Sequence, residues 1–252
     1  MSAIPTHNNI VTLLGLATCS YLMLFVWQGL DFTDMGFWLT GYQQFYTDPN
    51  AMGMSVCWLT YFIGHWVGIA FGGSVLAYKL GYVIVITTSA MLSYRLLATQ
   101  LGQSKTLGFT VFLTVCFTRS QGGNWIGYNE LTALLYLFGA ALLFFGLVNN
   151  RKSLVIMAGI ILASNLFIRF PNLLGITLVT AIWLYAWALS WTFKKAVAWS
   201  AYFLGGFLLG IFLIWLLILL HGHQAIYIQG IQTIFGWSVN ADTTSHHTGA
   251  GM

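Results

Sequence analysis

Two of the five acidic residues in this chain sit three positions apart, Asp31 and Asp34, directly after the first long apolar run. On a helix, positions three apart share a face. A pair of carboxylates placed so can hold a divalent cation together with water and phosphate oxygens. Alternatively, one of them can serve as a general base toward a hydroxyl, if apolar surroundings raise its pKa. The same residues also suit the solvated end of a membrane span, and spacing alone leaves these alternatives open. Further along, "YNE" at Tyr128–Glu130 opens another apolar run. Asn129 suits a helix N-cap and Glu130 the positive end of the helix dipole. Both could equally face the same vestibule as Asp34. "NLFIRFPN", residues 165–172, places Arg169 just before Pro171, where helical hydrogen bonding must stop. A guanidinium there suits a lipid phosphate, a salt bridge to one of the acids, or snorkelling at the membrane edge.

The histidines are weaker candidates. His221 and His223 form an HxH pair and His246 and His247 an HH pair, in what reads as a polar tail. Carboxylates are too sparse around them to make a metal centre the expectation. His65, in a glycine-rich run, reads as a buried hydrogen-bonded residue. Cys19, Cys57 and Cys116 follow no metal or redox spacing and read as apolar fillers. "GGNW" at 122–125 is a turn, not a phosphate loop, because no GK[ST] follows it.

The elements that must position these groups are membrane helices. Hydrophobic residues make up 58% of the chain and charged residues 6%, and the mean hydropathy is +0.80. A soluble domain carries roughly 25% charged residues. The net charge of +4 forms no basic cluster longer than two residues, which argues against nucleic acid as a partner. Apolar runs at 10–27, 78–98, 107–118, 130–148, 153–170, 172–191 and 200–220 predict an all-α polytopic bundle of about seven spans. The first is read as an uncleaved span rather than a signal peptide. Arg95 with Lys105, Arg151 with Lys152, and Lys194 with Lys195 mark three short cytoplasmic loops. The N-terminus is then cytoplasmic, while an outer loop 28–77 and an outer tail 221–252 lie on the other side. Parity requires the glycine-broken run 55–73 to lie along the interface or re-enter the outer leaflet. Lys79 is then expected to snorkel, and the aromatic residues Phe37, Trp38, Tyr42 and Phe45 to form an interfacial belt. The whole chain is one transmembrane domain.

"DMGFWLTGYQQFYTDP", "WLTYFIGHWVG", "YNELTALLYLFGAALLFFGL" and "FIRFPNLLGI" together resemble the polytopic C-type (GT-C) glycosyltransferases, in particular a bacterial branch, over residues 10–247. The resemblance implies a transferase in a bacterial inner membrane that moves a sugar from a polyprenyl-phosphate-linked donor to an acceptor at the outer face. In that family an essential acid lies in the first outer loop. Asp34 matches it best and Asp31 is the second candidate. Arg169, Asn129 and Glu130 would bind the donor or its lipid phosphate. The implied partners are membrane lipid and a lipid-linked sugar, and the implied cofactor, if any, is a divalent metal such as Mg²⁺ or Mn²⁺, with no metal ligands assigned. The runs here are fewer than the family's dozen spans, as expected of an N-terminal partial member. Two other classes compete: a transporter or flippase for a lipid-linked saccharide, and a non-catalytic membrane subunit. Transport predicts ionisable groups in mid-span. The polar residues in the spans are mild, namely Ser89, Thr110, Thr114, Asn165 and Ser190.

Overall fold

The computed structural model describes residues 7–27, 34–118 and 125–240. Every regular element among them is helical. They are α1 (His7–Met23), α2 (Asp34–Gln43), α3 (Trp58–Ala70), α4 (Val75–Leu101), α5 (Lys105–Thr118), α6 (Tyr128–Val148), α7 (Lys152–Ile168), α8 (Val179–Ala188), α9 (Phe193–Leu220) and α10 (Gln224–Asn240). Short 3₁₀ turns at Pro49–Ala51 and Ser55–Cys57 link α2 to α3, and a longer one, Phe170–Leu178, leads into α8. Four stretches are long and apolar enough to cross a membrane: Val75–Leu101, Tyr128–Val148, Phe170–Ala188 and Phe193–Leu220. The apolar helices at Asn9–Met23, Lys105–Phe117 and Lys152–Ile168 are shorter. The thirteen residues of α3 reach only about 20 Å at 1.5 Å per residue, well short of a hydrocarbon core of about 30 Å.

Backbone contact between α7 and α9 sets the centre of the bundle. A Cβ at Gly159 would collide with the backbone of Phe203 and Phe207, and one at Gly206 with Ile156 O. At Gly210 it would lie 2.7 Å from Ile160 O. Gly206 and Gly210 form a GxxxG pair on α9, the small-residue spacing that lets membrane helices approach closely. Because positions 156, 160 and 163 meet 206 and 210 in rising order, α7 and α9 run parallel. α6 runs antiparallel to α7, with Gly139 against Leu162 and Gly146 against Val155. α4 starts at the same end as α6, where the Ile126 N–H donates to Tyr78 O at 3.2 Å. α1 runs antiparallel to α4, with Gly15 against Met91 and Leu22 clustered with Val83.

These directions sort the polar groups by end. Residues at the starts of α4 and α6, at the ends of α7 and α9, and along α2, α3 and α10 share one hydrophobic cluster. This is called the aromatic end below. Trp38, Tyr42 and Phe45 are buried in it, so they are its core rather than the expected membrane belt; only Phe37 of that set is exposed. Trp38 and Tyr42 lie one turn apart on α2, Phe45 follows in the turn after it, and all three pack on α3. Lys79, in the second turn of α4, is 4% exposed, so it is enclosed by protein and does not snorkel. The turn from α3 to α4 uses Gly72 and Gly73, both at positive φ, with the Gly73 N–H returning to Gly68 O. The stretch 224–240, expected as polar tail, is the helix α10. It packs on Ser55–Cys57, with the Ser55 hydroxyl donating to Ile226 O at 2.9 Å and Gly230 flush against Ser55.

Candidate functional site

The "NLFIRFPN" segment is held by a buried asparagine clamp. Asn165 on α7 is 0% and Asn172 6% exposed. The Asn172 side-chain amide donates to Asn165 Oδ1 at 3.0 Å, to Asn165 O at 3.0 Å and to Thr132 Oγ1 on α6 at 2.8 Å. The Asn165 amide donates to Thr132 O at 3.3 Å, and the Tyr136 hydroxyl to Asn172 O at 3.2 Å. Pro171 ends α7, and the clamp satisfies the polar groups that the break exposes. The clamp thereby fixes the turn from which Arg169 projects. The Arg169 side chain is exposed and its guanidinium stands over the Tyr128 ring, 5.2 Å from the centroid, a cation–π contact.

Tyr128 opens α6 and joins an aromatic cluster that reaches across three helices. Its ring lies 5.2 Å from Trp38 on α2. Trp38 in turn stacks on Tyr61 of α3 at 4.7 Å and lies 6.1 Å from Trp125. The Tyr42 hydroxyl donates to Ile126 O at 2.9 Å, tying α2 to the entry of α6. Burial pushes the Tyr42 phenol well above its ordinary range, so it acts as a hydrogen-bond donor, not as a base.

Asp34 is the first residue of α2, one turn before Trp38. The start of α2, the start of α6 and Arg169 therefore meet at one face of the aromatic end. The Asp34 side chain and the whole of Asp31 lie outside the described residues. Asn129 is not the N-cap of α6. Gly127 takes that position with extended backbone, and Asn129 sits exposed in the first turn. Glu130 folds back on the helix start, its carboxylate accepting from the backbone N–H groups of Gly127 and Glu130. This is the acidic half of a capping box, and it gives Glu130 a positioning role at the entry to α6.

A second set of groups closes the far side of the aromatic end. His223 is 3% exposed, and its Nδ1 accepts from Trp58 Nε1 at 3.0 Å. The bond fixes Nε2 as the protonated nitrogen of the neutral ring. Burial, and next the neighbouring His221, pull the His223 pKa below its ordinary value. His221 Nδ1 meets the Tyr46 hydroxyl at 3.2 Å. His65 pairs through Nδ1 with Tyr42 O at 2.8 Å, so the expected hydrogen bond is present, but the residue is half-buried rather than buried. Of the supposed tail histidines, His223 is thus part of the core, and His221 lies half-buried at its edge. Cys57 is buried, and burial pushes its thiol up to about 12 despite the lowering influence of Arg169, so it stays protonated. Among the described residues, no group of three or more His, Cys, Asp or Glu side chains comes together to hold a metal ion.

The clamp, the Trp38–Tyr128 cluster and the Trp58–His223 bond were not foreseen. The only sequence signals were two asparagines seven apart around a proline, and the density of aromatic residues between 37 and 66. Comparison with protein-family models, curated proteins and solved structures finds no match for this chain.

Proposed function

We propose that this is a GT-C-like membrane glycosyltransferase that moves a sugar from a polyprenyl-phosphate carrier to an acceptor at the aromatic end of the bundle. The observation that carries the proposal is the convergence of Arg169, the start of α6 and the Asp34-bearing start of α2 around Trp38 and Tyr128. A phosphate leaving group needs a cation aimed at it, and Arg169 is exposed on a turn held rigid by the asparagine clamp. An acceptor hydroxyl needs a base; Glu130, beside Tyr128, is engaged in capping the start of α6, and Asp34, at the start of the helix that carries Trp38, is the acid left for that role. The membrane supplies the carrier's tail with solvent.

In this proposal α1, α5 and α7 cross the membrane together with the four longer stretches, which makes seven spans, and the aromatic end faces outward. The cations support that orientation. Arg151 and Lys152 join α6 to α7, Lys194 and Lys195 open α9, and Lys105 opens α5, all at the end opposite α2 and α3. The test is transfer of radiolabelled sugar from polyprenyl-phosphate donors in proteoliposomes. Label should appear covalently on an acceptor, and Asp34→Asn should abolish it while leaving the protein folded. Label that crosses the bilayer without forming a product would assign transport instead, and neither product nor movement would leave a non-catalytic subunit.

A further inference from the structure

Away from the aromatic end, α1 and α5 run side by side in the same direction, since Gly108 at the start of α5 packs on Ile10 at the start of α1. Between them lies an open groove of about 740 Å³. Its walls are apolar, with Leu13, Leu14 and Ala17 on one side and Phe109 and Phe112 on the other. The polar groups stand at one mouth only: Lys105 and Asn9, each in the first turn of its helix. From Asn9 to Ala17 the groove follows α1 for about 12 Å at 1.5 Å per residue. Its volume is that of a pocket for a small amphiphile.

We propose that this groove is a binding site for one anionic phospholipid. The phosphate meets the Lys105 ammonium and the Asn9 amide, and an acyl chain lies along Leu13 and Phe109. The polarity gradient chooses this occupant. A neighbouring protein helix would be matched by small or apolar side chains along the whole groove, whereas a cation confined to one mouth complements a headgroup. The site is independent of the transfer chemistry proposed above.

Leu13 is 66% exposed and Lys105 is exposed, so both can be replaced without disturbing the core. The experiment is native mass spectrometry of the full chain in an uncharged detergent, titrated with phosphatidylglycerol and with phosphatidylcholine of equal chain length. The expected result is a single retained phosphatidylglycerol, held about fivefold more tightly than phosphatidylcholine, the contribution of one lysine near a headgroup. Lys105→Gln should erase that preference, and Leu13→Trp, which fills the groove, should release both lipids. Equal retention of the two lipids, a preference unchanged by Lys105→Gln, or binding unchanged by Leu13→Trp would overturn the proposal. A dimer that Leu13→Trp dissolves would overturn it as well, by giving the groove to a second copy of the chain.

Discussion

At the scale of single residues, the aromatic end depends on polar groups that are buried and paired. His223 must be neutral to accept from Trp58, because protonated Nδ1 becomes a donor facing a donor. Its pKa is depressed in the folded protein. The unfolded chain therefore binds the proton more readily, and stability rises with pH across the histidine range. Thermal unfolding in detergent should be insensitive to this group above the ordinary histidine value of about 6.5. The midpoint should drop as pH falls below that value toward the depressed one. Trp58→Phe leaves the buried Nδ1 without its donor and should cost about 1–3 kcal/mol, while His223→Gln, which does not titrate, should flatten that dependence. The asparagine clamp behaves similarly. Asn172→Ala leaves the Asn165 carbonyl and amide oxygens and the Thr132 hydroxyl without their shared donor. It should lower stability by about 1–3 kcal/mol. It should also loosen the turn that carries Arg169, readable as increased mobility of a spin label placed at position 169.

The elements show which parts of the fold hydropathy can report. Apolar runs at 78–98, 130–148 and 200–220 correspond to α4, α6 and α9, the first two with ends shifted by up to three residues and α9 starting earlier, at Phe193, because a long apolar helix is written in composition alone. α10 was hidden for the opposite reason. Gln224, Gln229, Gln232 and Thr233 interrupt its apolar residues, and its packing surface is supplied by the distant turn Ser55–Cys57. The belt expected at 37–45 failed on the same ground, since aromatic residues suit both a headgroup layer and a core, and only the partners on α3 and α6 decide between them. The α7–α9 contact makes the sharpest test at this scale. Gly205 and Gly206 are adjacent, yet a Cβ at Gly205 meets nothing while one at Gly206 meets the backbone of Ile156. Gly206→Ala should destabilise by about 1–3 kcal/mol through overpacking against atoms that cannot rotate away. Gly205→Ala should be neutral or gain up to about 1 kcal/mol of helix propensity. Equal effects at the two positions would remove the close approach of α7 and α9 from the account.

For the molecule as a whole, the division into two ends organises everything proposed. Arg169 and the start of α2 share one end with the buried Lys79, while the paired cations of the loops occupy the other. That division was legible in outline from the cations, which follow membrane insertion rather than packing. The candidate site was legible only as polar residues at run boundaries. Its assembly through Trp38, Tyr128 and the clamp depends on contacts between residues up to 90 positions apart, and no local pattern reports those. The measurement that tests the central claim most directly is thiol accessibility in intact cells. Cys19, Cys57 and Cys116 are replaced by alanine, and a single cysteine is placed at the exposed positions Asn129 or Gln103, at opposite ends of the bundle. A membrane-impermeant thiol reagent should label position 129 and spare position 103, placing Arg169 and the start of α2 on the outer side, as the proposed transfer from a carrier-linked donor requires. Labelling at 103 with protection at 129 would turn the molecule over and contradict an outward-facing transferase site.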